Sequence, residues 1–447
     1  MFTRVLVANR GEIAVRVIRA LHELGVEAVA VYSTADKDAL HVRLADQAVH
    51  LGPPPAAESY LRIPSMIAAA TTTGCQAVHP GYGFLAENPA FVEACADNDL
   101  VFVGPPVDVM AAMGDKISAK RAMRDAEVPT VPGTESATNV SAARAAAEEI
   151  GFPILLKAAA GGGGKGMRLV RRPDELEDAF GMAAAEAEAA FGNATMYVEK
   201  ALVPARHVEI QVLCDHHGNV LTLGERECSI QRRHQKLIEE SPSAALSPEA
   251  REAMEAAAER ACRAVGYRNA GTFEFLLGAD GSFYFIELNA RLQVEHPVTE
   301  LCTGIDLVRE QLLVAAGEEL TVTGRAPRRG HAIEIRLNAE DPEHDFRPSP
   351  GRIGHFEPPL GPGVRVDTFV ESGSIISPFY DSMVAKVIVW DSDRAAAITR
   401  AERALRETVV EGVPTTRELA LEVLGSEPFR GGEYSTSTLE AMRAVVA

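Results

Sequence analysis

The sequence lacks long hydrophobic segments. No run of about 18 apolar residues occurs among its 447 residues, which excludes a membrane-spanning helix. The chain begins MFTRVLVANRGE, without an apolar stretch behind a basic start, so we expect no secretory signal. Its six cysteines form no CxxC pair. This argues against a zinc site or a disulfide framework and favours reduced structural thiols in the cytoplasm.

Positive charge is also scarce. The chain has 44 Lys and Arg residues against 63 Asp and Glu residues, a net charge of −19. Such a field repels nucleic acid and anionic membranes, so we expect neither as a partner. An anionic substrate would need a local cluster of Lys and Arg side chains that works against the global charge.

The order of predicted elements indicates several domains, as the length does. Strand, helix and strand alternate at the start, which favours a parallel sheet with right-handed crossovers. The first strand-to-helix turn, residues 8–12, lacks GxGxxG. The topology is therefore Rossmann-like without evidence of dinucleotide binding. A smaller α/β unit follows the breaker cluster at 128–133, and strands dominate from about residue 202.

A glycine loop occupies residues 161–166 and follows a predicted strand that ends at Lys157. Glycines allow backbone N–H groups to approach a phosphate closely, and Lys157 and Lys165 add positive charge. The loop is not a Walker A motif, because Gly166 stands where Ser or Thr is needed and a strand is predicted after it. A phosphate-binding loop and a flexible surface loop both remain open.

A predicted β-hairpin surrounds Asp280-Gly281. If these two residues form the turn, Glu274 lies opposite Glu287, and Asn289 shares that face. Facing carboxylates destabilise a sheet, and a divalent cation between them would reverse that effect. Two carboxylates and an amide suit Mg²⁺ or Mn²⁺ bound to nucleotide phosphates, with a solvated hairpin face as the alternative.

Polar side chains continue beyond the hairpin. If the chain stays extended after Asn289, the side chains of Arg291, Gln293 and Glu295 point to the same side as Asn289. A guanidinium, an amide and a carboxylate would then lie beside the proposed metal, and a guanidinium binds anions in a bidentate manner.

Two other segments carry charge at regular positions. The first, 225–236, is densely basic from Arg232 onward, and only distant acidic residues accompany these basic ones. We therefore prefer a phosphate or bicarbonate site there over a salt-bridged surface. The second, 331–338, alternates as a strand, with Arg336 on its polar face; spacing alone assigns this arginine no role.

Several motifs together resemble the biotin carboxylase family. They are ANRGEIA at 8–14, HPGYGFLAEN at 79–88, GDK at 114–116, GGGGKGM at 161–167, RHVEIQ at 206–211, ECSIQRRHQK at 227–236, GTFEF at 271–275 and ELNARLQVEHPVTE at 287–300. The resemblance implies an α/β and α+β multidomain fold. Its parts would be a Rossmann-like N-terminal domain (1–113), a linker helix (114–130), an ATP-grasp lid subdomain with the glycine loop (131–201), an ATP-grasp core (202–330) and a C-terminal subdomain (331–447).

The resemblance also implies site residues. ATP would be bound by Lys116, Lys157, Gly163, Gly164, Glu199, Lys200, Leu202, His207, Gln231, His234 and Leu276, together with Glu274 and Glu287. The metal ligands would be Glu274, Glu287 and Asn289, in agreement with the hairpin argument. Bicarbonate would be bound by Lys236, Arg291, Gln293 and Val294. Glu295 would be the general base, and Arg336 would stabilise the biotin enolate.

The implied activity is the ATP-dependent carboxylation of biotin with bicarbonate through carboxyphosphate. This is the first half-reaction of an acetyl-CoA or acyl-CoA carboxylase in fatty acid synthesis. The sequence contains no AMKM-type attachment motif, so we expect biotin on a carrier protein or domain, with a carboxyltransferase component as a further partner. Family members are commonly homodimers.

Three alternatives compete with this hypothesis. Another ATP-grasp ligase would share the nucleotide and metal residues, but RLQVEHP and RRHQK disfavour it. A nicotinamide oxidoreductase is disfavoured because the glycines precede a strand. A nucleotide-binding subunit without catalysis is disfavoured because Lys236, Arg291, Glu295 and Arg336 are all present.

Overall fold

The computed structural model describes residues 1–114, 116–134, 136–159, 166–233 and 235–446. Its first elements are β1 (Arg4–Val7), α1 (Gly11–Glu23), β2 (Glu27–Ser33), α2 (Leu40–Leu44), β3 (Gln47–Gly52), α3 (Ile63–Thr72), β4 (Ala77–His79), α4 (Pro89–Ala96), β5 (Val101–Phe102) and α5 (Val107–Gly114). The strands form a parallel sheet in the order β3-β2-β1-β4-β5. The Rossmann-like topology predicted for this region is confirmed.

The next region is a small α/β unit. It contains α6 (Lys116–Asp125), α7 (Val140–Ile150), β6 (Ile154–Ala158), β7 (Met167–Val170), α8 (Leu176–Phe191) and β8 (Met196–Lys200). The three strands pair antiparallel in the order β7-β6-β8. Since β7 begins directly after the glycine loop, the strand predicted there is confirmed.

The rest of the chain is built largely from strands. Its first part contains β9 (Ala205–Cys214), β10 (Val220–Arg232), β11 (Gln235–Ser241), α9 (Pro248–Val265), β12 (Asn269–Gly278), β13 (Phe283–Asn289), α10 (His296–Thr303), α11 (Leu307–Ala315) and β14 (Gly324–Arg325). Its second part contains β15 (His331–Asn338), β16 (Glu340–Asp341), β17 (Arg347–Pro348), β18 (Gly351–Arg352), β19 (His355–Glu357), β20 (Val364–Thr368), β21 (Ile375–Ile376), β22 (Met383–Asp391), α12 (Arg394–Glu407), β23 (Val409–Glu411), α13 (Arg417–Gly425), α14 (Glu427–Gly431) and α15 (Thr438–Val446).

A single sheet joins these two parts. Its strand order is β13-β12-β9-β10-β11-β15-β22-β20, with β14 paired to β10. The pairing of β11 with β15 is antiparallel and places Ile238 opposite Ile335. The sheet therefore continues across the boundary at 330, and the division of the chain into five parts stays a prediction.

The hairpin of β12 and β13 has the predicted pairing near Glu274, but this pairing does not arise from the predicted two-residue turn. Glu274 lies opposite Glu287, as predicted. The two-residue turn was wrong, because the backbone N–H of Gly278 donates to the Ser282 carbonyl at 2.7 Å and encloses a three-residue loop, 279–281. That loop shifts the register by one residue. A β-bulge at Ile286 between the Phe275↔Phe285 and Glu274↔Glu287 pairs shifts it back.

The cysteines and the helices are the subject of two further expectations. All six cysteines are buried free thiols, as expected for structural residues. Within the described parts of the chain, no helix combines the length and the apolar character that crossing a membrane requires.

A buried carboxylate ties the C-terminal helices to the large sheet. Glu240 on β11 accepts hydrogen bonds from Arg394 of α12 at 2.8 and 3.0 Å and contacts His331 at 2.6 Å. The Tyr434 hydroxyl also donates to it. Burial alone would raise the pKa of Glu240, but His331 and Arg394 outweigh burial and lower this pKa from 4.5 to about 2.

We predict that Glu240→Gln lowers the free energy of unfolding near pH 7 by roughly 3 kcal/mol. Because the pKa of Glu240 is depressed in the folded state, its stabilisation is present above the usual 4.5 and is lost as pH falls toward about 2. Urea unfolding at a series of pH values should show the difference between wild type and variant narrowing below pH 4.5. The exposed Glu433→Gln is the control, and a difference independent of pH would contradict the assignment.

Candidate active site

One cavity of about 690 Å³ collects most of the predicted site residues. It lies between the small α/β unit and the large sheet. The predicted residues that line it are Lys157, Leu202, His207, Gln231, Lys236, Glu274, Leu276, Glu287, Asn289, Arg291, Gln293, Val294, Glu295 and Arg336. Gly163, Gly164 and His234 lie outside the described residues, and Lys116 begins α6 with a side chain that is not described.

Two predicted nucleotide residues direct their side chains elsewhere. Glu199 is buried, forms an ion pair with Lys157 at 2.6 Å and is also bonded to Lys120. The ammonium of Lys200 donates to the carbonyls of Gly151 and Phe152, each at 3.0 Å. The backbone N–H of Lys200 donates as well, to the carbonyl of Pro132 at 2.8 Å.

The carboxylate of Glu274 is the best-connected group on the hairpin. One oxygen accepts from the amides of Asn289 and Gln293, each at 2.7 Å, and the other contacts His207 at 3.0 Å. Burial alone would raise the pKa of Glu274, but Lys236 and His207 outweigh it and hold this pKa far below its usual value. Glu274 is therefore a carboxylate at neutral pH.

This hairpin face fits a hard divalent cation. It presents one buried and one exposed carboxylate directly opposite each other, Glu274 and Glu287, with Asn289 on the same strand as Glu287. Carboxylate and amide oxygens are the ligands that Mg²⁺ and Mn²⁺ prefer. Like charges at directly opposite positions also destabilise a sheet unless something compensates them.

Glu295 lines the cavity and lies between two cations. One of its oxygens is bonded to the ammonium of Lys236, and the other accepts from the Arg336 guanidinium at 2.9 Å. Burial alone would raise the pKa of Glu295, but Lys236, Arg336 and Arg226 outweigh burial and hold this pKa well below its usual value. The group is thus in the form that accepts a proton.

The chain does not stay extended between the hairpin and Glu295, as the sequence analysis supposed. It leaves the sheet after Asn289 and turns, and Glu295 has φ −81° and ψ 9° immediately before α10. The turn still brings Arg291, Gln293 and Glu295 to one cavity. The predicted convergence is therefore correct, although the extended backbone was wrong.

The basic segment divides into two parts. Lys236 faces the cavity, where its ammonium lies 2.7 Å from Glu209 and 3.5 Å from Glu274. Arg232 is instead paired with Asp345 at 2.7 Å, and its guanidinium stacks 4.1 Å from the Phe346 ring centroid. Arg233 also contacts Asp345, at 3.3 Å. The preference for an anion site was wrong for Arg232. Its acidic partner, Asp345, is distant in the sequence but adjacent in the folded chain.

Arg291 and Arg336 are oriented by carboxylates that the sequence analysis did not single out. The Nε of Arg291 donates to Glu87 at 2.8 Å, and Glu87 also accepts from the Ala290 backbone at 2.9 Å. The Nε of Arg336 donates to Glu239 at 2.6 Å. Glu87 stands inside the HPGYGFLAEN motif, so the motif marked this residue without indicating its role.

A fully buried arginine forms hydrogen bonds to several residues around the site. Arg226 on β10 donates to Glu209 at 2.5 Å, to Gln211 at 2.6 Å and to Gln293 at 2.7 Å. Further donor contacts to Thr272 and Thr299 are both 3.1 Å long. Arg226 therefore holds Glu209, which is paired with Lys236, and Gln293, which donates to Glu274. In the sequence, the one indication of this role is that Arg226 is a charged residue within a strand.

A second cavity of about 540 Å³ adjoins the first. Arg291, Val294 and Arg336 line both cavities, and Tyr82 and Phe84 line only the second. The two spaces therefore meet at the side chains predicted to bind bicarbonate and biotin.

The parallel N-terminal sheet, the small antiparallel unit and the large sheet around a carboxylate hairpin define an ATP-grasp enzyme, a class of ATP-dependent ligases. Residues 115–323 match the carbamoyl-phosphate synthase L chain ATP-binding domain. Residues 1–110 and 334–441 match the N-terminal and C-terminal domains of biotin carboxylase. The chain belongs to the biotin carboxylase family.

Individual relatives agree with this assignment. Biotin carboxylase of Nostoc sp. is 53% identical over 443 residues, which are 99% of each chain. A complex of Campylobacter jejuni biotin carboxylase with β-γ-ATP superimposes with a TM-score of 0.95 at 45% identity, covering 99% of both chains. The biotin carboxylase domain dimer of Hydrogenobacter thermophilus 2-oxoglutarate carboxylase, in complex with MgADP, ADP and bicarbonate, gives a TM-score of 0.94 at 45% identity. It covers 100% of this chain and 99% of that one.

We predict that Arg226→Met lowers the free energy of unfolding by about 3–5 kcal/mol, because it leaves the buried Glu209 without its guanidinium partner. Urea unfolding followed by circular dichroism measures the effect. The control is Arg406→Met, since Arg406 is exposed and forms a surface pair with Glu402, worth at most about 1 kcal/mol. Equal stability losses in the two variants would contradict a central role for Arg226.

Proposed function

We propose that the main cavity carries out both steps of biotin carboxylation, with Glu295 as the general base. The observation that supports this most strongly is the position of Glu295 between Lys236 and Arg336. Bicarbonate entering there takes up hydrogen bonds from Lys236, which now pairs with Glu295. The pKa of Glu295 then rises toward its usual range as its ion pairs loosen, which makes the carboxylate a better proton acceptor.

The nucleotide half of the reaction uses the hairpin side of the cavity. Lys116 and Lys157 neutralise the phosphates of ATP, and Gly163 and Gly164 are further nucleotide-binding residues. Glu274, Glu287 and Asn289 hold Mg²⁺ or Mn²⁺, which when bound neutralises phosphate charge. The remaining nucleotide contacts are Glu199, Lys200, Leu202, His207, Gln231, His234 and Leu276.

The bicarbonate half uses the opposite side. Lys236, Arg291 and Gln293, with the backbone of Val294, bind the anion, and Glu295 removes its proton. The bicarbonate oxygen then attacks the γ-phosphorus of ATP, which gives carboxyphosphate and ADP. Catalysis here consists of positioning and charge neutralisation. Closure of the small α/β unit would exclude water from a reactive acyl phosphate.

Biotin enters through the adjoining cavity. Carboxyphosphate breaks down to CO₂ and phosphate, the phosphate takes the N1′ proton of biotin, and N1′ attacks CO₂. Arg336 lines both cavities, and its guanidinium stabilises the enolate oxygen that forms on biotin. Glu239 keeps this guanidinium in place through the 2.6 Å hydrogen bond.

The cellular setting follows from this chemistry. Biotin is presented on a carrier protein or domain. A carboxyltransferase component then uses carboxybiotin in the second half-reaction. An acetyl-CoA or acyl-CoA carboxylase of fatty acid synthesis, in the cytoplasm, is the assembly we propose, with this chain as a homodimer. The Hydrogenobacter relative belongs to a 2-oxoglutarate carboxylase, so the final acceptor is determined by the transferase.

We predict that free biotin accelerates bicarbonate-dependent ATP cleavage by the purified chain. Phosphate release measured with and without biotin, at saturating Mg-ATP and bicarbonate, tests this directly. Omission of bicarbonate is the control, because biotin should have no effect without it. If the rate of bicarbonate-dependent ATP cleavage does not change when biotin is added, the result would instead support an ATP-grasp ligase with another acceptor.

We further predict that Glu295→Gln lowers kcat for carboxybiotin formation by about 10²–10⁴-fold, because the amide cannot accept the bicarbonate proton. ATP binding, measured by calorimetry, should be retained. Glu407→Gln, at an exposed surface pair, is the matched control. A Glu295→Gln variant with wild-type turnover would refute the assigned base.

A further inference from the structure

Lys386 is a lysine in an unusual place, the middle of a central strand. It lies on β22, is fully buried, and stands directly opposite Arg336 on β15 and Asp367 on β20. Two cations opposite each other on one sheet face repel, and burying an ammonium is costly. A lysine at this position therefore requires specific partners.

The partners come from three parts of the chain. The ammonium of Lys386 donates to the Val294 carbonyl at 2.8 Å, and it lies 3.2 Å from Glu12 and 3.7 Å from Asp367. Burial alone would lower the pKa of Lys386, but Glu12, Glu334 and Asp367 outweigh it and keep this pKa raised. The group is thus a permanent cation with its charge balanced by acids.

The Val294 carbonyl is the informative contact. It belongs to the peptide bond between Val294 and Glu295, so an anchor on this oxygen fixes the plane from which the Glu295 side chain projects. Val294 lies in the irregular turn that follows the hairpin and lines both cavities. Such a turn has no ladder of backbone hydrogen bonds to hold it, in contrast to β13.

A further contact extends the anchor to the N-terminal region. Glu12, at the start of α1, accepts a hydrogen bond from the Tyr82 hydroxyl as well as contacting Lys386. Tyr82 and Glu12 both line the second cavity. The catalytic turn is therefore tied to the N-terminal region through one ammonium group.

We propose that Lys386 is a positioning residue that holds the Val294–Glu295 turn in the geometry needed to bind and deprotonate bicarbonate. Its ammonium does not touch the reacting atoms. It acts by holding the carbonyl of Val294, and this role rests on the proposed function of Glu295. A lysine that only balanced the charges of Glu12 and Asp367 would have no selective effect on one substrate.

The test is a separation of kinetic constants in Lys386→Met. We expect KM for bicarbonate to rise about ten- to a hundredfold, with a lower kcat, because the Val294 carbonyl loses a charged donor. KM for Mg-ATP should stay at the wild-type value, since the nucleotide residues lie on the hairpin side. Arg400→Met is the matched control, because Arg400 donates to the Trp390 carbonyl at the far end of the same strand.

Each outcome decides the proposal. Unchanged bicarbonate kinetics in Lys386→Met, or equal increases in both KM values, would overturn it. Should that variant not fold, Lys386→Arg keeps the charge among the acids but cannot reproduce the compact ammonium contact. A raised bicarbonate KM in Lys386→Arg supports the proposal, and a wild-type value refutes it. Absence of bicarbonate-dependent ATP cleavage in the wild type would show that the proposed function itself has failed.

Discussion

Glu295 is held by opposite charges on both of its oxygens, and much of the surrounding structure serves this arrangement. Lys236 comes from β11, Arg336 from β15, and the turn that carries Glu295 comes from the end of the hairpin. Each cation is held in turn by another buried carboxylate, Glu209 or Glu239. A carboxylate held in this way is ionised before any ligand arrives, and its pKa depends on how a ligand changes its ion pairs.

The site shows how an acidic protein can bind anions. The chain carries a net charge of −19, yet its cavity contains Lys157, Lys236, Arg291 and Arg336. These cations are buried or partly buried and each has a carboxylate partner within hydrogen-bonding or ion-pair distance. The carboxylates hold the cations in place and limit their mutual repulsion, while the surrounding negative field keeps other polyanions away.

The sequence predicted which residues share the cavity better than it predicted their backbone geometry. Periodicity placed the parallel N-terminal sheet and β15, and the hairpin pattern predicted that Glu274 and Glu287 are paired. Local pattern could not reveal that Asp345 neutralises Arg232, or that Glu87 orients Arg291, because these partners are more than a hundred residues apart in sequence. Hairpin spacing likewise could not reveal a bulge, since a loop and a bulge that shift the register in opposite directions leave the same final pairing.

The role of Arg336 illustrates the same limit. An arginine on an alternating strand is ordinary, and only its position across from β11 and beside the turn after β13 brings it to Glu295. Resemblance to a family suggested a role for Arg336, and the fold explains how its side chain reaches the cavity. A sheet that continues from the hairpin to β20 brings residues from four separate sequence segments to one space.

The bulge at Ile286 has an evolutionary consequence. It makes the tip of the hairpin independent of its base, because the register near Glu274 and Glu287 is set on the near side of the bulge. Relatives could then exchange a three-residue tip and a bulge for a two-residue tip and a regular ladder while the facing carboxylates stay in place. The length of the tip can thus change during divergence without altering the pairing of Glu274 with Glu287.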